Sequence, residues 1–241
     1  ENIGKYKESF YQRLAFDEIF STFLVNSEIR KKIKKIKKIN KKINLDNQID
    51  IVDKLNFSLT NDQKIALEEI NKDLCSSNKM FRLLQGDVGS GKTIVSLLSA
   101  LNTINSGFQV AMMAPTEILA KQHFTLAKKI FPKNLNIKII SGKSDYKDKK
   151  DILKKLSTGE IDFIIGTHAI FQKKVDYNKL GLIIIDEQHK FGVNQRKKLS
   201  DKGGNNCDVL LMTATPIPRT LTMTEYGDMD ISIIREKPKS R

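Results

Sequence analysis

Residues Gly86-Asp87-Val88-Gly89-Ser90-Gly91-Lys92-Thr93 constrain the fold more than any other part of the chain. They follow a short apolar run, Phe81 to Leu84, and open an amphipathic stretch, Thr93 to Ile104. The spacing predicts a strand, a glycine-rich turn and a helix in immediate succession. Such a turn suits one ligand chemistry: glycines let successive backbone N–H groups wrap phosphate oxygens, and the helix amino end adds its positive dipole. Gly86, Val88, Gly89, Ser90, Gly91, Lys92 and Thr93 are therefore candidate nucleotide-binding residues. Lys92 is placed to reach the β and γ phosphates of ATP, and the Thr93 hydroxyl to join Mg²⁺.

A phosphate loop of this kind needs an acidic partner, and Leu182-Ile183-Ile184-Ile185-Asp186-Glu187 supplies one as an apolar strand ending in two carboxylates. Asp186 is expected to hold Mg²⁺ through its water shell, and Glu187 to orient or deprotonate the attacking water. The reaction class is phosphoryl transfer. Further short apolar runs, Gln109 to Ala114, Ile137 to Ile140, Ile161 to Ile165, Val209 to Met212 and Ile231 to Ile234, alternate with amphipathic stretches at Glu117 to Ile130 and Lys147 to Leu156. This alternation predicts an α/β fold: a parallel sheet covered by helices on both faces, with ligands at the carboxyl ends of its strands.

The amino-terminal part differs. From Phe10 to Ile43 there is no Gly or Pro, and Leu14, Ile19, Phe20, Phe23, Leu24, Ile29, Ile33, Ile36, Ile39 and Ile43 recur at helical spacing. One long amphipathic helix, or two, is expected. Arg30, Lys31, Lys32, Lys34, Lys35, Lys37, Lys38, Lys41 and Lys42 fill the positions between the isoleucines. That cationic face reads either as a solvated surface or as a contact for phosphates. We place a basic helical extension at 1–55 and the nucleotide-binding domain at 56–241.

Composition narrows the partners. The chain has 241 residues, 39% hydrophobic and 29% charged, as in an ordinary globular protein. Its net charge of +14 favours a polyanion, although a general richness in Lys, Ile and Asn produces the same sign. No run of 18 apolar residues suggests a membrane span, and the first residue, Glu rather than Met, points to a piece of a longer chain. Cys75 and Cys207 lie far apart without metal-ligand spacing, as expected of reduced cytosolic thiols with packing roles. The histidines, His123, His168 and His189, suit no metal site either.

The ordered segments Gly86 to Thr93, Asp186-Glu187-Gln188-His189 and Thr213-Ala214-Thr215-Pro216 resemble superfamily 2 helicases. Within them, the strings GDVGSGKT, APTEILAKQH, GTHAIF, DEQHKFGVNQR and TATPIPRTL, with RLAFDEIF at Arg13 to Phe20, resemble the RecG family. The resemblance covers nearly the whole chain and implies a RecA-like motor domain of an ATP-dependent DNA helicase. Its implied substrate is branched or forked DNA, in fork reversal, junction branch migration, recombination and repair. It assigns Phe57, Leu59 and Gln63 to adenine recognition, and Pro115 and Thr116 (motif Ia) with Gly166, Thr167 and His168 (motif Ib) to the DNA backbone. It makes His189, beside the acidic couplet, a coupling residue of the catalytic set, and Thr213 and Thr215 relays to the DNA-facing loops.

RecG-type motors also carry a second motor domain, which supplies an arginine to the transition state, and a wedge domain that engages branched DNA. This sequence ends at IREKPKSR, where the linker to that second domain is expected, with Lys239-Ser240 in place of the usual Pro-Gly. Slow hydrolysis and no unwinding are expected of the segment alone. Three other readings remain: a motor of the transcription-repair coupling factor family, which shares the GDVG and TATPIPRT strings, a P-loop phosphotransferase of another class, and a DNA-binding module without turnover, against which intact Lys92, Asp186 and Glu187 argue. Gln188 and RLAFDEIF favour the RecG family over the first. The ordered DEQH, TAT and GTH segments argue against the second.

Overall fold

The computed structural model describes residues 2–43, 58–140, 146–172, 174–186, 202–214 and 229–238. Each expected apolar run forms a strand: β1 Phe81–Gly86, β2 Gln109–Met113, β3 Ile137–Ile140, β4 Phe163–Gly166, β5 Leu180–Asp186, β6 Asp208–Thr213 and β7 Asp230–Ile234. They build one seven-stranded sheet in the order β3-β4-β2-β5-β6-β1-β7. All its strand pairs are parallel. The helices are α1 Asn2–Lys35, α2 Asn61–Cys75, α3 Lys92–Asn105, α4 Glu117–Ile130 and α5 Tyr146–Thr158, with a 3₁₀ turn at His168–Phe171. The resulting layers match the expected α/β architecture with a helical extension ahead of it.

Side chains alternate between the two faces of a strand, and the core divides accordingly. Leu84, Val110, Met112, Leu182, Ile184, Leu210 and Met212 meet α2, α3 and α4 through residues such as Ile70, Leu97, Leu101 and Ala127. Their neighbours Leu83, Ala111, Met113, Ile183, Ile185, Val209 and Leu211 pack on the other face with Leu156 and Ile152 of α5 and Ile33 of α1. A sheet buried on both sides explains why its strands read as continuous apolar runs rather than as alternating ones.

The amino-terminal extension departs from expectation beyond Lys35. There α1 stops, and the segment from Ile36 to Ile43, outside any helix, lies beside residues 74–79 with one antiparallel bridge from Lys37 to Asn78. It is held there by Lys79 N to Ile36 O (3.1 Å), Lys38 N to Ser77 O (2.9 Å) and Lys41 N to Leu74 O (3.1 Å). The lysines at 38 and 41 leave the expected solvated or phosphate-contacting face. Both ammonium groups meet Asp208 Oδ2, at 2.6 and 2.5 Å, with all three side chains fully buried. Lys37 donates to Asn78 Oδ1 at 2.9 Å, while Arg30 and Lys34 pair with Asp230. The physical reason is non-local: a carboxylate at the start of β6 is satisfied only if cations come to it, and that requirement outweighs helical periodicity. Farther up α1, Leu14, Ile19, Phe20, Phe23 and Leu24 are exposed. The expected boundary at 55/56 lies outside the described residues.

Candidate functional site

The loop after β1 takes its shape from its glycines. Gly89 and Gly91 have φ of +81° and +87°, in the region that L side chains avoid. A Cβ on Gly91 would lie 2.2 Å from Gln63 Nε2, and one on Gly86 would lie 2.9 Å from the Ile234 carbonyl oxygen of β7. The loop is thus tight both in conformation and in packing. Lys92 opens α3 and folds back, its Nζ donating to Gly86 O (2.7 Å) and Asp87 O (2.9 Å). Thr93 follows in the first turn and is half-buried, whereas Val88 at the loop tip is exposed. Ser90 Oγ is buried and has no hydrogen-bond partner among the described residues. A buried, unsatisfied hydroxyl inside a phosphate-type loop suits an anionic oxygen.

Helix α2 braces this loop. Thr60 caps it through a capping box: Thr60 Oγ1 accepts from Gln63 N, and Gln63 Oε1 accepts from Thr60 N. Gln63 Nε2 then donates to Ser90 O at 2.7 Å, with the side chain fully buried. Both ends of the Gln63 amide are engaged. An adenine contact would use the second N–H or the second lone pair. Leu59 is buried beside it, and Phe57 lies outside the described residues.

Strand register brings the acidic element to the same edge. Asp186 pairs with Met212, and Met212 with Leu84. Asp186 therefore lies two strands, about 10 Å, from Leu84, two residues before β1 ends. Leu182 and Ile184 face α3 and α4, so Asp186, by the same alternation, projects over the face that carries the α3 amino end. Its Oδ2 lies 2.7 Å from His123 Nε2 on α4. Glu187 and His189 lie outside the described residues.

The strand-facing candidates also gather. Met113 pairs with Gly166, and Ala114 N donates to Gly166 O at 2.8 Å. Pro115 and Thr116 consequently stand beside Thr167 and His168 at the carboxyl edge. Thr116 caps α4, its Oγ1 accepting from Leu119 N at 3.2 Å. Pro115, Thr116 and His168 are exposed, and Thr167 is half-buried. Thr213 is buried at the end of β6 beside Gln85, and Thr215 lies outside the described residues.

Sequence reasoning missed two features. The first is His123 against Asp186; its signal is a histidine on the buried stripe of α4, among Ala120, Ala127 and Ile130. The second is the clamp on the segment that leaves β7. Asp62 Oδ2 accepts from Arg235 N (2.7 Å) and Glu236 N (3.0 Å), and Lys237 Nζ meets Asp87 of the loop at 2.6 Å. Those N–H donors hold the Asp62 carboxyl below its ordinary range. The Lys237 hydrogen bond, helped by Val88 N, does the same for Asp87. Local patterns carry no signal for these contacts.

Among the described residues no helix is long and apolar enough to cross a membrane. Residues 60–224 match the family model of DEAD/DEAH box helicases. Curated relatives include the ATP-dependent DNA helicase RecG of Streptococcus pneumoniae, 45% identical over 241 residues, which are 99% of this chain and 35% of the relative. RecG of Thermotoga maritima is 45% identical over 235 residues, or 97% of this chain and 30% of that protein. The chain spans about a third of the length of these relatives. Among solved structures, RecG bound to a three-way DNA junction superposes with a TM-score of 0.84 at 42% identity, covering 95% of this chain and 31% of that one. The DEAD-box helicase Mss116 bound to single-stranded RNA shares the fold, with a TM-score of 0.61 at 18% identity over 81% of this chain and 46% of that one. The chain belongs to the DEAD/DEAH box helicase family, and RecG helicases resemble it over nearly its whole length.

Proposed function

We propose that this chain is the ATP-binding motor domain of a DNA helicase or translocase that acts on branched DNA. The observation that carries the reading is the shared edge: the phosphate-type loop after β1 and the Asp186 carboxylate after β5 leave one parallel sheet two strands apart, over the same face. Branched DNA as the substrate rests on the likeness to RecG bound to a three-way junction.

The residues at this edge fit a magnesium nucleotide. Loop N–H groups and Ser90 Oγ would surround the phosphates, and Lys92 would exchange its two loop carbonyls for phosphate oxygens. The Thr93 hydroxyl is a hard oxygen donor, and the Asp186 carboxylate would accept hydrogen bonds from the ion's water shell, an arrangement that leaves Mg²⁺ most of its waters, as it prefers. The ion, when bound, neutralises charge on the transferred phosphate. Glu187, one residue beyond Asp186, would orient the attacking water, and His189, Thr213 and Thr215 would pass the nucleotide state onward. Phe57, Leu59 and Gln63 would read the base. Pro115, Thr116, Gly166, Thr167 and His168 would track the DNA backbone with amide and hydroxyl donors. A second motor domain would supply the transition-state arginine, and a wedge domain the junction contact. The boundary at 55/56 between extension and motor, and a cytoplasmic setting, belong to the same reading.

Binding of a fluorescent ATP analogue tests the core of it. The 241-residue chain should bind with Mg²⁺ dependence, and Lys92→Ala should weaken binding by more than about tenfold, as expected when charge-assisted phosphate contacts are removed. Equal binding by both proteins, or none by either, overturns the assignment. In the full-length protein, ATP turnover should rise more with a three-way junction than with plain duplex.

A further inference from the structure

We propose that His123 is a positioning residue for the metal-holding carboxylate, fixing from α4 which Asp186 oxygen faces the nucleotide's magnesium. The inference rests on the nucleotide reading above and adds a residue to it. His123 Nε2 and Asp186 Oδ2 are 2.7 Å apart, with side chains only 8% and 12% exposed. A carboxylate accepts and does not donate, which assigns the hydrogen to Nε2.

The placement on α4 argues against simple packing. The buried stripe of this helix is Ala120, His123, Ala127 and Ile130. Two alanines let the helix approach the sheet closely, and an aliphatic residue at 123 would fill the same space without burying an imidazole. The hydrogen bond offsets that cost only because Asp186 is there to receive it. A terminal carboxylate turns easily about its last torsion, so an unbraced Asp186 would present either oxygen at varying angles. With Oδ2 held by His123, Oδ1 is the oxygen left available to the metal's water shell. Groups that brace a metal's ligands cost about 10- to 100-fold in metal affinity when lost, and because Asp186 acts through the water shell the low end of that range applies to His123.

The same helix is capped by Thr116, about 10 Å from His123 along its axis. Thr116 and Pro115 are strand-facing candidates, so one rigid element joins the proposed DNA contact to the proposed metal ligand.

The test is a Mg²⁺ titration of mant-ADP binding, followed by fluorescence, on the 241-residue chain and its variants. His123→Leu keeps the volume and removes the donor; His123→Gln restores an N–H. Half-saturating Mg²⁺ should rise about tenfold in His123→Leu and return most of the way in His123→Gln. Affinity in EDTA should stay within about twofold in both, because the phosphate contacts are untouched. Circular dichroism checks that each variant is folded. A wild-type Mg²⁺ requirement in folded His123→Leu overturns the proposal, as does an equal loss in both variants that extends to EDTA, which would mark a packing role. Asp186→Asn is the control for the underlying reading. If it behaves as wild type, the metal assignment itself is wrong, and the role of His123 falls with it.

Discussion

Replacing Asp208 by Asn removes the one charge that justifies burying two lysines. Lys38 and Lys41 both reach Asp208 Oδ2, at 2.6 and 2.5 Å, and Met80 N donates to Oδ1 at 2.6 Å. Burial already pushes the Lys38 ammonium below the usual lysine range, against the pull of Asp208. Breaking a buried ion pair costs about 3–5 kcal/mol. Two cations lose their partner here, but each keeps a carbonyl: Lys38 Nζ donates to Asp73 O (2.8 Å) and Lys41 Nζ to Asn206 O (3.2 Å). Those contacts hold the loss near the middle of the range rather than at double it, and Asn keeps an acceptor for Met80 N. We expect Asp208→Asn to lower unfolding free energy by about 4 kcal/mol. For a domain of this size the melting temperature should fall by about 8–16 °C. Urea unfolding at pH 7 measures the first quantity, and a thermal melt the second. With a folded pKa below its unfolded value, Lys38 is penalised while charged; the deficit should narrow as pH rises through the folded value toward about 10. Lys38→Met and Lys41→Met combined with Asp208→Leu should recover most of the loss, less about 1 kcal/mol for the Met80 N–H left without its acceptor. A deficit for Asp208→Asn under about 1 kcal/mol, flat with pH, would refute the view that this cluster is a buried electrostatic latch.

Gly91→Ala meets two penalties at once: a φ of +87° and a Cβ 2.2 Å from Gln63 Nε2. Left-handed backbone and the lost Gln63–Ser90 hydrogen bond together predict about 2–3 kcal/mol of destabilisation in urea unfolding; a change below about 0.5 kcal/mol would mean that α2 does not brace the loop. Asp62 gives a pH signature. Its folded pKa is lowered by the Arg235 and Glu236 N–H donors, so its contribution is present above about pH 4 and lost as pH falls through the folded value. The stability gap between wild type and Asp62→Asn should be constant from pH 7 to 5 and shrink below 4, and a gap unchanged down to pH 3 would remove Asp62 as the cause.

Local patterns in the chain suffice for the secondary-structure elements and for the residue types gathered at the candidate site. Short continuous apolar runs, a period of 3.6 and glycine are local signals, so Phe81 to Leu84, the loop at Gly86 to Thr93 and the strand ending in Asp186 are legible from short windows. The order of the segments from Gly86 to Pro216 was enough to suggest the helicase family. Which side chains meet is settled by packing in three dimensions. Lys38 and Lys41 read as a solvated or phosphate-contacting face until Asp208, far along the chain, drew them inside. The sequence excludes His123 from a metal site and names no partner for it; the fold sets it against Asp186 at the end of β5. Gln63, which the resemblance assigns to adenine, meets Ser90 O because α2 packs on the phosphate-type loop. In each case the deciding energy is a hydrogen bond or ion pair made in a water-poor interior between residues tens to hundreds of positions apart. Burial makes such a contact strong, and because its partner is remote, no local pattern announces it.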